Sequence, residues 1–401
     1  MSLTGAFWIS STAMAAQGQA LGAIGDNIAN LNTGGYRRRD VNFSELLGHS
    51  DKFQAKSSGA KAGVTKRVET SGAYQVSDRG LNAAMNGRAM FVVSKDTGGA
   101  DQYYTRFGAF EAKQDSTGTL RLATQNDYYL MGWPVADDGT VSTALQTIAL
   151  PGRTQPLDAI ESTSATVNDN LPALSSVGDQ VTRSFSVYDA AGTLHNVDLV
   201  FENTGVNSWQ VTASSTSGTI ALATSPMPLT FDSSSGAITG TSSVALTGTW
   251  SNSESATIDV AFDGMTQWGE ASAPRAVEVD GAPAGYVSSY YFDSDGFLNV
   301  AYSNGQVRPI YQIPGAVFRN ASGLTEATGD VFKASQTSGA AALVDPQASE
   351  LGKFLANTLE LSNVDLAREM TNLIQTQRAY STAATAFRTV DEMTTVVRDL
   401  T

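Results

Sequence analysis

The 401-residue chain contains no cysteine and only two histidines. The absence of cysteine excludes disulfides, thiolate metal ligands and thiol nucleophiles, and two histidines are too few for a histidine-rich metal cluster. Charged residues make up only 16% of the sequence, and lysine is absent between Gln114 and Phe332. The formal net charge is −14. Because nucleic-acid binding depends on clustered Lys and Arg, we expect no nucleic-acid partner.

Long apolar runs are also missing. The first 35 residues contain one charged side chain, Asp26, but Ser, Thr, Gln, Gly and Asn are scattered through them. A membrane span needs about 20 mainly apolar residues. A signal peptide needs a basic start before a compact apolar run. We therefore expect no membrane span and, if the protein is exported, a route that cleaves no signal peptide.

Recognisable catalytic motifs are absent from the sequence. It has no phosphate-binding glycine loop and no G-x-S-x-G elbow. His195 lies in a strand–turn–strand pattern and is predicted to be structural. Asp293 opens a segment similar to a calcium loop, but Asn304 occupies the twelfth position, where an EF-hand needs Glu. We expect a tight turn there, no enzymatic activity, and neither a cofactor nor a metal ion.

Both ends of the chain carry seven-residue hydrophobic patterns, which predict helices that pack along one seam. The positions at which we expect a helical stem to polymerise are Phe7, Met14, Leu21, Ile24, Ile28, Leu31, Leu359, Leu366, Leu373, Tyr380 and Phe387. A packed core formed by the two helices of one chain would explain the same pattern. The two interpretations are compatible, because one helix pair can expose a second stripe.

Between these ends the sequence predicts short β-strands. Asp138-Gly139 predicts a hairpin turn of the Asp-Gly type. Of the 47 residues from Val211 to Thr257, 22 are Ser or Thr. We predict an α+β multidomain protein with a coiled-coil-like terminal stem and a second β-barrel or sandwich domain inserted into a discontinuous, mainly-β domain. The predicted boundaries are 1–35 and 349–401 for the stem, 36–70 for a solvated connector, 71–149 and 273–348 for the discontinuous domain, and 150–272 for the insertion.

Two terminal segments resemble a known family. Ile24–Phe43 (IGDNIANLNTGGYRRRDVNF) and Leu361–Tyr380 (LSNVDLAREMTNLIQTQRAY) are similar to the N- and C-terminal signatures of bacterial flagellar axial proteins, which are the rod, hook and hook–filament junction subunits. The matching signature positions are Asn27, Asn30, Asn363, Asp365, Gln377 and Arg378. Tyr188–Phe201, Phe262–Trp268 and Tyr291–Tyr302 resemble the hook subunits of that family in particular.

The resemblance implies a subunit that assembles with copies of itself into a flexible hollow tube joining rod to filament and transmitting torque. It also implies an extracellular position at the flagellar basal body and hook. The partners it implies are the distal rod subunit, the hook cap scaffold, the hook–filament junction subunit and the flagellar type III export apparatus. A distal rod or junction subunit is the nearest alternative. An extracellular adhesin is a more distant one, since it gives no reason for matched terminal helices.

Overall fold

The computed structural model describes residues 3–47, 57–269, 276–346 and 352–399. The chain forms two compact units. Unit 1 comprises Met1–Pro151, Tyr290–Val300 and Arg308–Thr401. Unit 2 comprises Gly152–Ser289 and Ala301–Val307. The described residues contain one long helix near each end of the chain and a mainly-β body between them.

The two terminal helices belong to unit 1 and run antiparallel to each other. They are α1 (Leu3–Ala29) and α2 (Leu366–Asp399). The rings of Phe7 and Phe387 lie 4.3 Å apart at one end of the pair. At the other end, the side chain of Asn27 donates a hydrogen bond to Glu369 over 3.1 Å.

After α1 the chain turns at Gly35, whose φ of +72° is a left-handed conformation that favours glycine. A Cβ at this position would also lie 2.9 Å from the backbone nitrogen of Phe107. The strands Arg39–Leu47 and Ser57–Lys66 then pair as an antiparallel hairpin. The predicted solvated connector over 36–70 is therefore wrong in part, because its described residues form a hydrogen-bonded ladder whose buried Ala62 contributes to the core.

The α2 helix begins later than the predicted position near residue 349. Instead, Gly352–Ala356 pairs with Ala83–Gly87, and Thr358–Glu360 pairs with Tyr74–Val76. The prediction that 352–365 belongs to the helical stem was wrong, because α2 starts only at Leu366. The two strands within this range pair with strands between 265 and 286 positions earlier in the chain. Residues 347–351 lie outside the described ranges.

The remainder of unit 1 is built from short, mostly antiparallel strands. Its core includes the fully buried Phe91 and Phe110, whose rings meet edge to face at 5.2 Å. The predicted turn at Asp138-Gly139 is confirmed, since Gly139 donates its N–H to the carbonyl of Ala136 and has a φ of +81°. The other strands of unit 1 are Phe91–Ser94, Gln102–Thr105, Phe110–Gln114, Leu120–Thr124, Tyr129–Pro134, Gln146–Thr147, Gly315–Val317, Thr325–Ala327, Val331–Lys333 and Ala342–Val344.

Three further strands carry the chain across the division between the units: Gly285–Phe292, Phe297–Tyr302 and Val307–Gln312. Asp293 sits in the turn between the first two. Its carboxylate accepts hydrogen bonds from the N–H groups of Asp295 and Phe297, at 3.0 and 2.8 Å. The prediction of a tight turn at this position is confirmed.

The described part of unit 2 contains two five-stranded sheets and one two-stranded sheet, in which Asn170–Pro172 pairs with Thr266–Trp268. One sheet has the order Gly218–Leu222, Ser243–Trp250, Ser255–Ala261, Ser164–Thr166, Glu278–Val279. The other has the order Gln180–Tyr188, Leu194–Gly205, Ser208–Ser214, Met227–Phe231, Ile238–Thr239. The remaining strands are Pro156–Leu157, Asn170–Pro172 and Thr266–Trp268. Apolar residues from both sheets, including Trp209, Phe201 and Ile258, form one buried cluster.

The inserted unit ends later than the sequence predicted. We expected the insertion to end at 272, but unit 2 continues to Ser289. The strand Glu278–Val279 explains the difference, because it pairs with Ser164–Thr166 of the same unit. Residues 270–275 lie outside the described ranges.

His195 is buried in unit 2, where it contacts an aromatic ring and a carboxylate. Its imidazole stacks on Trp250, with ring centroids 4.2 Å apart, and its Nε2 lies 3.0 Å from a carboxylate oxygen of Asp189. The same carboxylate accepts hydrogen bonds from Asn252 at 2.6 Å and from the Thr193 N–H at 2.7 Å. Burial opposes ionisation, but the hydrogen bonds from His195, Thr193 and Asn252 outweigh it and hold the pKa of Asp189 well below its usual range.

This arrangement predicts that unit 2 loses stability in acid. Because the pKa of Asp189 is lower in the folded than in the unfolded chain, the stabilisation is complete above the unfolded value of about 3.9 and is lost as pH falls below it. We expect the melting temperature to be nearly constant from about pH 8 to 5 and to fall steeply below about pH 4. Calorimetry of the wild-type protein and of Asp189→Asn measures this. The variant should melt lower at neutral pH and show a shallower acid decline; an unchanged decline would contradict the assignment.

Candidate functional site: the junction of the terminal helices with the body

Three consecutive arginines follow α1 and reach three different parts of unit 1. Arg37 pairs with a carboxylate on the strand before α2, Arg38 with one in the first turn of α2, and Arg39 with one in α1. We call these three residues the arginine triplet. We use the term junction for the triplet together with the residues of α1, α2 and the β-strands that it contacts. The triplet thus connects both terminal helices to the β-strands of unit 1.

The innermost contact of the junction centres on Glu360. Arg37 Nη2 lies 2.7 Å from Glu360 Oε1, and neither side chain is exposed to solvent. The same oxygen accepts a hydrogen bond from the N–H of Gly72 over 2.8 Å. Arg106 Nη1 lies 3.9 Å from the other carboxylate oxygen and donates to the carbonyl of Met85 over 3.0 Å. One carboxylate therefore holds together the segment after α1, the segment before α2 and the body.

The charges of this cluster are not balanced, since two buried arginines share one glutamate. Burial lowers the pKa of Arg106 to about 10, and the nearby Arg37 adds to this effect. Arg37 Nε and Nη1 have no hydrogen-bond partner among the described residues. A buried cluster of this kind adds little net stability, but removing one member leaves an uncompensated buried charge.

A second buried contact joins α1 directly to α2. The side-chain amide of Asn27 donates to Glu369 over 3.1 Å and to the carbonyl of Arg39 over 2.9 Å. Its oxygen accepts hydrogen bonds from the N–H of Arg39 at 2.8 Å and from the Tyr36 hydroxyl at 3.3 Å. Arg38 Nε donates to Glu369 over 2.6 Å. Burial raises the pKa of Tyr36 to about 12, so its hydroxyl stays protonated and remains a donor.

Two residues before α2 fix where that helix starts. Asp365 accepts hydrogen bonds from the N–H groups of Ala367 and Arg368, at 2.9 and 3.2 Å, as an N-cap residue does. Asn363 accepts the N–H of Arg38 over 2.6 Å and donates to the carbonyl of Thr70 over 2.8 Å. These contacts align the first turn of α2 with the arginine triplet.

Arg39 makes the outermost contacts of the junction. It pairs with Asp26 of α1, and its Nη2 lies 3.0 Å from a carboxylate oxygen of Glu326. Lys66 approaches the same Glu326 oxygen at 3.0 Å. These side chains are partly exposed, so solvent and salt weaken their pairing. Removing one of them should therefore cost less than removing a member of the buried cluster.

We predict that Asn27→Ala destabilises unit 1 by about 3 kcal/mol, because it leaves buried donors and acceptors without partners. Asn30→Ala is the matched control. Its side chain makes an exposed bond to the carbonyl of Asp26, so we expect a loss below about 1 kcal/mol. Denaturant unfolding followed by helical circular dichroism measures both. Equal losses in the two variants would show that the buried bonds of Asn27 are not the cause.

The predicted stem residues occupy different environments. Ile24 is buried, whereas Met14, Leu21, Ile28, Leu31, Leu373 and Phe387 are partly buried. Phe7, Leu366 and Tyr380 are exposed, as are the signature residues Gln377 and Arg378. Leu359 does not belong to a helix at all. It lies in the strand Thr358–Glu360 opposite Gln75, so its place in the seven-residue pattern was coincidental and its assignment to the helical stem was wrong.

The α2 helix exposes more apolar surface than a helix of a lone globular protein normally does. Among its residues whose burial is described, only Glu369 is buried. The exposed apolar side chains include Leu366, Met370 and Ile374, which recur every four residues along one face. A second group lies near the end of the helix and comprises Met393, Val396 and Val397.

The sequence did not reveal three residues of the junction, namely Arg37, Glu360 and Glu369. The three consecutive arginines were visible, but they indicated only a basic, solvated segment. The buried carboxylates that pair with Arg37 and Arg38 lie more than 300 residues away, so no local pattern connects them.

Among the described residues, neither terminal helix carries an apolar stretch sufficient for a membrane crossing. In the same ranges, no group of three or more His, Asp and Glu side chains is placed to hold a metal ion.

The class of this protein follows from its paired terminal helices and β-rich body. Three protein-family models match these parts of the chain. Residues 9–37 match the family model of flagella basal body rod proteins. Residues 355–399 match the C-terminal model of flagellar basal body rod FlgEFG proteins, and residues 156–282 match the FlaE D2 domain of flagellar basal body proteins. The chain thus has the domain composition of a flagellar axial protein.

Full-length relatives identify the member of this class. The chain is 30% identical to the flagellar hook protein FlgE of Rhizobium meliloti over 412 aligned positions that cover all of both chains. It is 29% identical to that of Escherichia coli, over 93% of this chain and 94% of the relative. The chain belongs to the flagellar hook protein family, and it is a structural subunit of the hook rather than an enzyme.

A solved structure supports the fold. The crystal structure of the Helicobacter pylori flagellar hook protein FlgE2 aligns with a TM-score of 0.53 and 13% identity. The alignment covers 70% of this chain and 98% of that chain. At this identity the likeness concerns the fold alone.

Proposed function

We propose that this subunit polymerises through α1 and α2 into a flexible hollow tube that joins the flagellar rod to the filament and transmits torque. The observation that carries the proposal is the exposed apolar surface of α2. Leu366, Met370 and Ile374 are each more than 40% exposed, and so are the terminal Met393 and Val397. Exposed apolar surface of this extent on one helix is typical of a protein–protein contact.

The helix pair is proposed to act as a coiled-coil-like stem. One face of α2 carries Glu369, Leu373 and Phe387, the last of which packs against Phe7 of α1. The apolar face over Leu366, Met370 and Ile374 would then be available for neighbouring copies. In this arrangement the intramolecular core and the polymerising stripe are two faces of the same helix.

The junction is proposed to transmit force between the stem and the body. Arg37 and Arg38 connect to buried carboxylates on opposite sides of the start of α2, at 2.7 and 2.6 Å. Buried charge-assisted bonds resist rearrangement more than apolar contacts do, because a displaced charge has no alternative partner. A load applied to the helices would therefore reach the body without bending the connection.

Unit 2 is proposed to be the inserted β-sandwich that contacts neighbouring copies. In addition, we propose the extracellular hook as the site of action and the type III export apparatus as the route. The proposed neighbours at the two ends of the polymer are the distal rod subunit and the hook–filament junction subunit, and a cap scaffold is proposed to guide assembly. The family resemblance of the terminal signatures supports these partners.

Electron microscopy of the concentrated full-length protein tests the proposal. We expect tubes with a central channel. The variant Ile374→Asp should raise the concentration needed for polymerisation, because it places a charge on the exposed apolar face. Gln375→Asp is the matched control, since Gln375 is also exposed on α2. Flat sheets instead of tubes would favour a surface-layer or adhesin function, and polymerisation unchanged by Ile374→Asp would contradict a contact at this face.

A further inference from the structure

Three buried ionisable side chains of unit 1, Arg37, Arg106 and Glu360, have more hydrogen-bond donors than acceptors between them. We call these three residues the buried cluster. Arg37 and Arg106 are each 1% exposed. Arg37 Nε, Arg37 Nη1 and Arg106 Nε have no hydrogen-bond partner among the described residues. Because an unpaired buried donor costs free energy, these N–H groups indicate that the buried cluster binds a further acceptor.

Backbone carbonyls hold Arg106 in place, so it cannot close on the carboxylate of Glu360. Its Nη1 donates to the carbonyl of Met85 over 3.0 Å, and its Nη2 donates to the carbonyl of Gly87. Glu360 Oε2 lies 3.9 Å from Arg106 Nη1, which is beyond hydrogen-bond distance. Arg106 is therefore fixed beside the carboxylate without a direct charge-assisted bond to it.

The charges of the buried cluster require a further negative partner. Two guanidinium groups share one carboxylate, so one positive charge is uncompensated. Burial lowers the pKa of Arg106 to about 10, which still leaves it protonated at neutral pH. The nearby Tyr74 is uncharged, because its hydroxyl donates to the carbonyl of Met85 over 3.3 Å. A buried charge without a counter-charge is unfavourable.

Other carboxylates of the junction are already paired with other cations. Glu369 accepts a hydrogen bond from Arg38 over 2.6 Å. Asp26 pairs with Arg39, which also lies 3.0 Å from Glu326. None of these three carboxylates pairs with Arg37 or Arg106 in the described part of the chain, so the missing negative charge has to come from solution.

Size and charge indicate which acceptor fits the buried cluster. All three side chains are enclosed, so an occupant must be small and must lose its hydration shell. A water molecule would satisfy the unpaired N–H groups but would leave the positive charge uncompensated. A monovalent anion would satisfy the N–H groups and the charge together. A divalent anion would replace the excess positive charge by an excess negative one.

We propose that Arg37 and Arg106 bind one small monovalent anion, such as chloride, within the junction. The anion accepts hydrogen bonds from the unpaired guanidinium N–H groups and completes the charge balance of the buried cluster. The site lies within unit 1 of a single chain, so its occupancy does not depend on polymerisation. The connection between the terminal helices and the body is then sensitive to the anion in the surrounding solution.

Thermal unfolding of the full chain in chloride and in gluconate tests the site. The sodium concentration is held at about 0.15 M, so that screening stays constant while chloride is exchanged for an anion too large for an enclosed site. A ligand that binds only the folded state raises the melting temperature. We expect the helical circular dichroism of unit 1 to melt about 3–6 °C higher in chloride than in gluconate.

Two variants separate the site from general effects of the salt. Arg106→Met leaves one arginine and one glutamate, so the difference between chloride and gluconate should fall below about 1 °C. Arg79→Met is the matched control, because Arg79 forms an exposed pair with Glu111 at 3.2 Å. This control should keep the full difference. A wild-type chain that melts equally in both salts, or a difference that persists in Arg106→Met, would overturn the anion site.

A crystallographic measurement on the wild-type chain covers the case in which Arg106→Met does not fold. Crystals grown in sodium bromide should give an anomalous peak beside the guanidinium group of Arg37. Density without an anomalous signal at this position would show that an ordered water occupies it, and the proposed anion site would then be wrong.

Discussion

Replacing Glu360 with alanine should lower the free energy of unfolding of unit 1 by about 3–5 kcal/mol. The carboxylate pairs with Arg37 at 2.7 Å and lies 3.9 Å from Arg106, and all three side chains are buried. Its removal leaves two guanidinium groups of like charge in the interior and the Gly72 N–H without an acceptor. Few single substitutions in this chain combine so many unfavourable consequences.

The Glu360 prediction has an internal control and a rescue. Glu392 forms an exposed pair with Arg388 on α2 at 3.8 Å, and Glu392→Ala should change stability by less than about 0.5 kcal/mol. Combining Arg37→Met, Arg106→Met and Glu360→Leu should recover much of the loss, because apolar residues need no counter-charge. Denaturant unfolding of the three proteins, monitored at the helical band, measures these differences. If Glu360→Ala and Glu392→Ala behave alike, the buried cluster does not hold the junction.

Removing α2 should abolish polymerisation without unfolding the rest of the chain. A protein that ends at Asp365 keeps the strands Gly352–Ala356 and Thr358–Glu360, together with the Glu360 contact. It loses the exposed apolar faces of α2 and the pairing with α1. We expect a folded monomer at concentrations at which the full chain forms tubes, as measured by sedimentation and electron microscopy.

A slightly shorter protein should also lose stability. Ending the chain at Ala356 also removes Glu360 and the strand that pairs with Tyr74–Val76. We expect this second truncation to destabilise unit 1 by several kcal/mol relative to the first. Tubes formed by the protein ending at Asp365 would refute the role of α2. Equal stability of the two truncations would refute the role of Glu360.

The sequence predicted the terminal helices because their apolar residues recur at helical spacing over several turns. It also predicted the turns at Asp138-Gly139 and Asp293, because a short polar side chain followed by glycine determines local backbone geometry. These features depend on residues close in sequence. The family resemblance was visible for the same reason, since each signature is a continuous segment.

Features that depend on distant residues were not predictable in this way. Leu359 fitted a helical spacing as well as a strand, and only the ladder of its strand with Tyr74–Val76 decides between the two. The contact of Arg37 with Glu360 likewise depends on tertiary structure. The late end of unit 2 has the same origin, because the short strand Glu278–Val279 is defined by its partner rather than by its own composition.

The separation in sequence of the two halves of the junction has a consequence for biosynthesis. The bond between Arg37 and Glu360 spans 323 residues, and that between Asn27 and Glu369 spans 342. A ribosome makes the arginines first and the glutamates almost last, so a prematurely terminated product carries the arginines without their counter-ions and lacks α2. We expect such fragments to be unable to enter the proposed polymer, because they lack α2.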